Sequence, residues 1–220
     1  MKFAVSFSGG KDSMLAMHKM ITDGHVCEVI FTTTNKDIGS WFHDIDVDIL
    51  KSIADSLNVE FIQADIEIEK YDEMFEENLR FIKDKYLVDG IVFGDIDIID
   101  HYNWCQQRCD NVGLKAVFPL WNEDRVKIVE EFIELGYKAI IKRVDKNKLP
   151  KNILKRQLDR DLLIEFEEYG IDLCGENGEY HTLVYGGPLF NNDINLQIKS
   201  VTETENTYVL DVSLATKRGD

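Results

Sequence analysis

Over the first 144 residues, short apolar runs alternate with stretches of helical spacing, and few folds accommodate that rhythm. Strands are predicted at Lys2–Ser8, Val26–Thr34, Val59–Ala64, Gly90–Gly94, Leu114–Phe118 and Tyr137–Val144. Helices are predicted between them, at Lys11–Thr22, Asp46–Leu57, Tyr71–Leu87, Tyr102–Val112 and Asp124–Leu135. In the second helix Val47, Ile49, Leu50, Ile53, Ala54 and Leu57 share one face. Gly24, Gly113 and Gly136 stand where three of the helices must end. The repetition implies an α/β class fold, a doubly wound, mostly parallel sheet with helices on both faces. Ligands in such sheets bind in the crevice outside the strand C-termini, so chemistry is expected in the loops that follow strands.

Near Asp145 the rhythm stops. Asp145–Arg160 is basic, Leu162–Tyr169 reads as a short helix, and weak alternation from Asn191 onward suggests strands without helices. The reading is a domain over 1–144 and a smaller α+β region over 145–220, ending in a frayed tail. Acidic residues outnumber basic ones 41 to 25, a net charge of −16. That balance argues against wrapping a nucleic-acid backbone, though not against a small anion in a local pocket. Cys27, Cys105, Cys109 and Cys174 are too few and too irregular for a disulfide framework. The first residues meet charge and glycine too early for a signal peptide, and no apolar run approaches the ~20 residues of a membrane helix. A reduced, cytoplasmic chain with no membrane and no nucleic-acid partner is expected.

The first predicted strand ends in Ser8-Gly9-Gly10-Lys11-Asp12-Ser13. Two glycines let the backbone turn tightly and bring N–H groups to an anion, and the helix that follows adds its positive dipole end. Ser8 and Ser13 offer hydroxyls, Lys11 a mobile cation, and Asp12 a hard oxygen ligand for Mg²⁺. The loop is too short for the Walker pattern. It resembles the pyrophosphate loop of the N-type ATP pyrophosphatases, which include GMP synthetase, argininosuccinate synthetase and tRNA lysidine synthetase. That resemblance implies an adenine nucleotide alpha hydrolase-like fold, ATP bound with Mg²⁺, and cleavage between its α and β phosphates.

A second motif, GENGEYHT at 175–182, packs Glu176, Glu179 and His181 among two glycines. The glycines favour a loop that presents side chains. The carboxylates suit a metal or an amine, and the histidine can move a proton near neutral pH. With SGGKDS at 8–13, GDI at 94–96, PLW at 119–121 and GPLF at 187–190, the run resembles the diphthine–ammonia ligase family over about residues 1–190. Asn177 and His181 stand where that family carries a glycine and an acidic residue.

The resemblance implies a ligase that adenylates an acceptor carboxylate and transfers ammonia to it. Lys11 and Asp12 would serve the phosphates, Glu176, Glu179 and His181 would orient or deprotonate the amine, and Arg156 would help hold ATP. Partners would be ammonia, free or delivered by a protein, and an acceptor on a protein (diphthine on elongation factor 2). A second copy of the chain as a homodimer partner is allowed for. Three alternatives stay open: a small-molecule amide ligase of cofactor metabolism such as corrinoid salvage, a non-catalytic ATP sensor, and sulfur transfer through Cys174.

Weaker signals have plain readings beside the functional ones. Between Lys138 and Arg160 nine basic residues face two acidic ones, either a solvated surface or a clamp for phosphates or an acidic acceptor. His101, Cys105 and Cys109 share a helical face, more readily core cysteines than a metal site. Trp41-Phe42-His43 lines a pocket or covers a sheet edge. The acidic stretch Glu60–Asp100 reads as solvated helix surface.

Overall fold

The structure, a computed structural model, describes residues 1–35 and 45–215. Trp41-Phe42-His43 and the end of the tail lie outside the described residues. The chain forms two compact units. The first holds Met1–Ser8, the stretch from Asp12 through the second strand, and Asn58–Glu123; the second holds Gly9–Lys11, Ile45–Leu57 and the chain from Asp124 onward.

The first unit is built on strands β1 (Lys2–Ser6), β2 (Val26–Asn35), β3 (Glu60–Ile66), β4 (Gly90–Val92) and β5 (Lys115–Val117). They form one sheet in the order β3-β2-β1-β4-β5, and every pair is parallel. The central strand reads as a continuous apolar run because both its faces are covered, and Phe3, Ala4 and Val5 are fully buried. Helices α1 (Lys11–Thr22), α3 (Tyr71–Tyr86) and α4 (Ile99–Val112) cover the sheet, while α2 (Val47–Leu57) lies in the other unit. Phe75, Leu79 and Ile82 of α3 and Cys105, Cys109 and Val112 of α4 pack with Ala4, Phe31, Ile91 and Phe93 in one core. Gly24 and Gly113 end α1 and α4 in the left-handed conformation, as their positions predict. The strand order reverses between β1 and β4, so the loop after β1 lies at the topological switch point.

The second unit contains an antiparallel sheet in the order β7-β6-β9-β8, from β6 (Lys138–Asp145), β7 (Tyr180–Gly186), β8 (Leu196–Glu203) and β9 (Thr207–Leu214). Helices α5 (Arg125–Glu134) and α6 (Arg160–Tyr169) begin at Asp124 and Asp159, whose carboxylates accept backbone N–H groups of the first turn. Here the structure corrects the sequence reading. Tyr137–Val144, counted as the sixth strand of the α/β sheet, is instead an inner strand of the antiparallel one, and the long continuous part of the second unit runs from Asp124. A short run that packs partly in a core reads the same in either sheet, so periodicity does not reveal its partner.

Cys105 and Cys109 are core residues, and His101 is exposed at the other end of α4's first turns, so the three form no metal site. Burial pushes the Cys109 thiol up to about 12 and the Cys105 thiol higher still. A thiol that ionises more easily unfolded than folded stabilises the fold below its unfolded pKa of 9.0 and loses that contribution as pH rises. Stability is therefore expected to fall from about pH 9 upward, with each such thiol contributing roughly 1.4 kcal/mol per pH unit. Urea denaturation between pH 8 and 11 checks this: the slope should shrink on Cys109→Ala, and an unchanged slope would show that the thiols do not control it.

Candidate functional site

The residues of the switch-point loop are divided between the two units, and each part has its own contacts. In the first, the Ser8 and Ser13 hydroxyls lie 3.2 Å apart. A Cβ on Gly94, just after β4, would meet the Ser13 nitrogen at 2.7 Å and the Asp12 carbonyl carbon at 2.8 Å. The start of α1 thus lies directly on the GDI backbone, which only glycine permits. The next residue, Asp95, is missing from the sequence-based candidates. Burial raises its carboxyl pKa, His101 opposes that, and the negative charge of Asp12 adds to the rise. The signal for Asp95 was its place directly behind a strand at the switch point.

In the second unit, Gly9–Lys11 runs beside the free edge of β7. The Val184 N–H donates to the Gly9 carbonyl at 2.9 Å, and the Lys11 N–H donates to Thr182 Oγ1 at 3.0 Å. Gly9 has φ +79°, and a Cβ there would meet Ile45 Cδ1 at 2.8 Å and Leu50 Cδ2 at 2.9 Å. The Lys11 side chain is 4% exposed, and its Nζ lies 3.8 Å from Glu176 Oε1 and over the Tyr180 ring. Lys11 and Glu176, 165 positions apart in the chain, therefore bring the two motifs together.

The second motif is part loop and part strand. Residues 171–179 form turns, and β7 starts at Tyr180. Asp172 accepts the N–H groups of Cys174 and Glu176 and pairs with Arg125 Nη1 at 2.5 Å. Arg125 also donates to Asn177 Oδ1 at 3.3 Å. Glu179 is 3% exposed; it accepts the Asn177 N–H at 3.0 Å and Lys148 Nζ at 3.2 Å. A Cβ on Gly175 would strike the Tyr180 ring, whose hydroxyl donates to the Leu173 carbonyl.

The predicted trio is consequently divided. Glu176 faces Lys11, and Glu179 is turned into the loop. On an alternating strand His181 takes the face opposite Tyr180 and Thr182, in register with Arg143. Arg156 bonds Glu165, its guanidinium pKa raised by that hydrogen bond, and its carbonyl accepts from Ile141. Much of the basic stretch is neutralised within the chain: Lys138 pairs with Asp193, Lys146 with Glu203, Lys148 with Glu179 and Arg160 with Glu134. Cys174 is fully buried. Under the ligase expectation drawn from the sequence, Cys174→Ser should leave turnover within about threefold of wild type while lowering Tm, since a buried hydroxyl in place of a thiol costs stability. Loss of turnover in a variant that stays folded would restore the sulfur-transfer alternative.

No helix among the described residues is long and apolar enough to cross a membrane. Residues 1–116 match the diphthamide synthase N-terminal domain, and residues 124–218 match the diphthamide synthase C-terminal domain. A diphthine–ammonia ligase of Homo sapiens is 28% identical over 222 residues, covering 88% of this chain and 82% of that protein. One of Danio rerio is 26% identical over 222 residues, covering 90% and 86%. Among solved structures, a predicted subunit of tRNA methyltransferase from Methanocaldococcus jannaschii aligns over 85% of this chain and 98% of its own, at 17% identity and a TM-score of 0.47. With both domains matched in order along the chain, it belongs to the diphthamide synthase family.

Proposed function

We propose that this chain is an ATP-dependent, AMP-forming amide ligase that activates an acceptor carboxylate and passes the acyl group to ammonia. The observation that carries the reading is the buried Lys11 ammonium, set by the switch-point loop and facing Glu176. The names of the relatives, diphthine–ammonia ligases, supply the acceptor class: a carboxylate on a protein side chain, with ammonia as the second substrate. A small-molecule carboxylate is the alternative acceptor.

The N–H groups of Gly9 and Gly10, the start of α1 and the Lys11 ammonium would receive the β and γ phosphates, with the Ser8 and Ser13 hydroxyls beside them. The acceptor carboxylate oxygen attacks the α phosphorus, the bond to the bridging oxygen breaks, and pyrophosphate leaves with the charge that Lys11 stabilises. The ammonia lone pair then attacks the acyl carbon and a proton is lost. The bond to AMP breaks, leaving an amide. Glu176, the carboxylate beside Lys11, would orient the amine and take that proton.

Asp12, a hard carboxylate in the first turn of α1, would hold Mg²⁺, and the negative charge it exerts on Asp95 is of the kind a divalent cation relieves. When bound, Mg²⁺ supplies neutralisation of the phosphate charge. Glu179 acts on the loop rather than on substrate, and His181 and Arg156 lie outside this mechanism.

Incubation with Mg-ATP, ammonium and a cell extract divided by size tests the reading. AMP and pyrophosphate are expected with the protein fraction. The same products with only the small-molecule fraction would reassign the acceptor. ADP and phosphate as the products would sink α–β cleavage, and no turnover with either fraction would favour a sensor.

A further inference from the structure

Glu176 occupies a loop, yet the groups on each side of it are fixed. Its own N–H donates to Asp172 at 3.2 Å, and the next N–H, of Asn177, donates to Glu179 at 3.0 Å. The Asn177 carbonyl accepts from Lys148 Nζ at 3.1 Å, and its side-chain oxygen accepts from Arg125. Each of the two carboxylates that receive these N–H groups is in turn paired with a cation from outside the loop. Arg125 comes from the first turn of α5, and Lys148 follows β6. Asp172 and Glu179 are 11% and 4% exposed at their side chains, so water screens these pairs far less than it would surface ones.

We propose that Arg125 and Lys148 are positioning residues. Together with Asp172 and Glu179 they form a charged frame that presets residues 174–177 and aims the Glu176 carboxylate at Lys11. The frame explains why two glutamates three residues apart have different fates. Glu179 is consumed by the frame, and Glu176 is what the frame presents. It also explains the strength of the bracing: a loop that supplies a reacting group must hold it to a fraction of an ångström, and ordering it on folding removes that entropy from the binding step. The inference deepens the ligase reading and rests on it for the chemistry of Glu176, but the aim of Glu176 at Lys11 is measurable without turnover.

The experiment follows reductive methylation of the Lys11 amine by peptide mass spectrometry in the full chain, beside AMP formation. Glu176→Gln should raise Lys11 labelling by about fivefold or more, because the ammonium loses its carboxylate neighbour. Arg125→Gln should raise it comparably. Added to Glu176→Gln, it should bring less than about twofold further, since it acts through Glu176. Lys148→Met strands a buried carboxylate and can fail to fold. The paired variant Lys148→Met with Glu179→Gln removes both charges, and Lys148→Arg alone keeps both; the first should label like Arg125→Gln, the second like wild type.

For turnover, Arg125→Gln is expected to lower kcat for AMP formation by about tenfold with KM for ATP nearly unchanged, the split that separates positioning from nucleotide binding. Unchanged Lys11 labelling in the frame variants, or effects of Arg125→Gln and Glu176→Gln that multiply, would overturn the proposal. Absence of AMP formation by the wild-type protein would instead remove the ligase reading, and the labelling would still decide the frame.

Discussion

Lys11→Met is expected to lower AMP formation by about 10²- to 10³-fold, the range typical when one charge-stabilising donor is removed from a developing anion. The ammonium is positioned for this role by three constraints already visible. Its backbone N–H is tied to Thr182, its Nζ lies over the Tyr180 ring, and its charge faces Glu176 Oε1 at 3.8 Å, beyond hydrogen-bond reach. Methionine keeps the unbranched stem and so avoids the void that alanine would leave. Glu176 is 18% exposed, so loss of its neighbour leaves it partly hydrated and the fold intact. The measurement is quantified AMP and pyrophosphate under saturating Mg-ATP, with Tm as the control. Turnover within tenfold of wild type in Lys11→Met would show that the SGGKDS loop does not hold the leaving pyrophosphate.

The second large effect belongs to a residue with no functional group. Gly94→Ala should weaken Mg-ATP binding by about tenfold or more and destabilise the chain by about 1–3 kcal/mol, the usual cost of forcing a methyl group into a filled site. The clash is with backbone: Ser13 N at 2.7 Å, Asp12 C at 2.8 Å and Ser13 Cα at 3.0 Å. A backbone neighbour cannot rotate away as a flexible side chain can, so the first turn of α1 must shift. That turn carries the N–H groups and dipole end proposed to receive phosphate. Gly136→Ala is the matched control, because a Cβ there meets nothing within 4 Å and only the φ of +82° is strained. Calorimetric titration with Mg-ATP should separate the two variants. Equal affinities would place the nucleotide away from the start of α1.

The phosphate loop was legible in the sequence because its chemistry is local: a strand, two glycines, a lysine and a helix start are adjacent in the chain and act as a unit. The five parallel strands were legible for a similar reason, since each is an apolar run bounded by a helix of clear period. Other assignments depended on partners far along the chain. Lys138 to Arg160 looks like a free cationic surface when read in order, yet Lys138, Lys146, Lys148, Arg156 and Arg160 each meet an acid elsewhere. Glu176 and Glu179 are equivalent on paper, and only the arrival of Lys148 makes one a brace.

The sequence by itself determined the α/β class, the switch-point loop and the membership of both motifs in one family pattern, because each is encoded in contiguous residues and local periodicity. Only the tertiary structure decided that β6 pairs with β7 and β9, that Thr182 and Glu176 meet Lys11, and that His181 takes the opposite face of β7. The physical reason is common to all three. Strand pairing, buried ion pairs and the face a side chain takes are set by which distant segment supplies the partner. A single pass along the chain carries periodicity but not partnership.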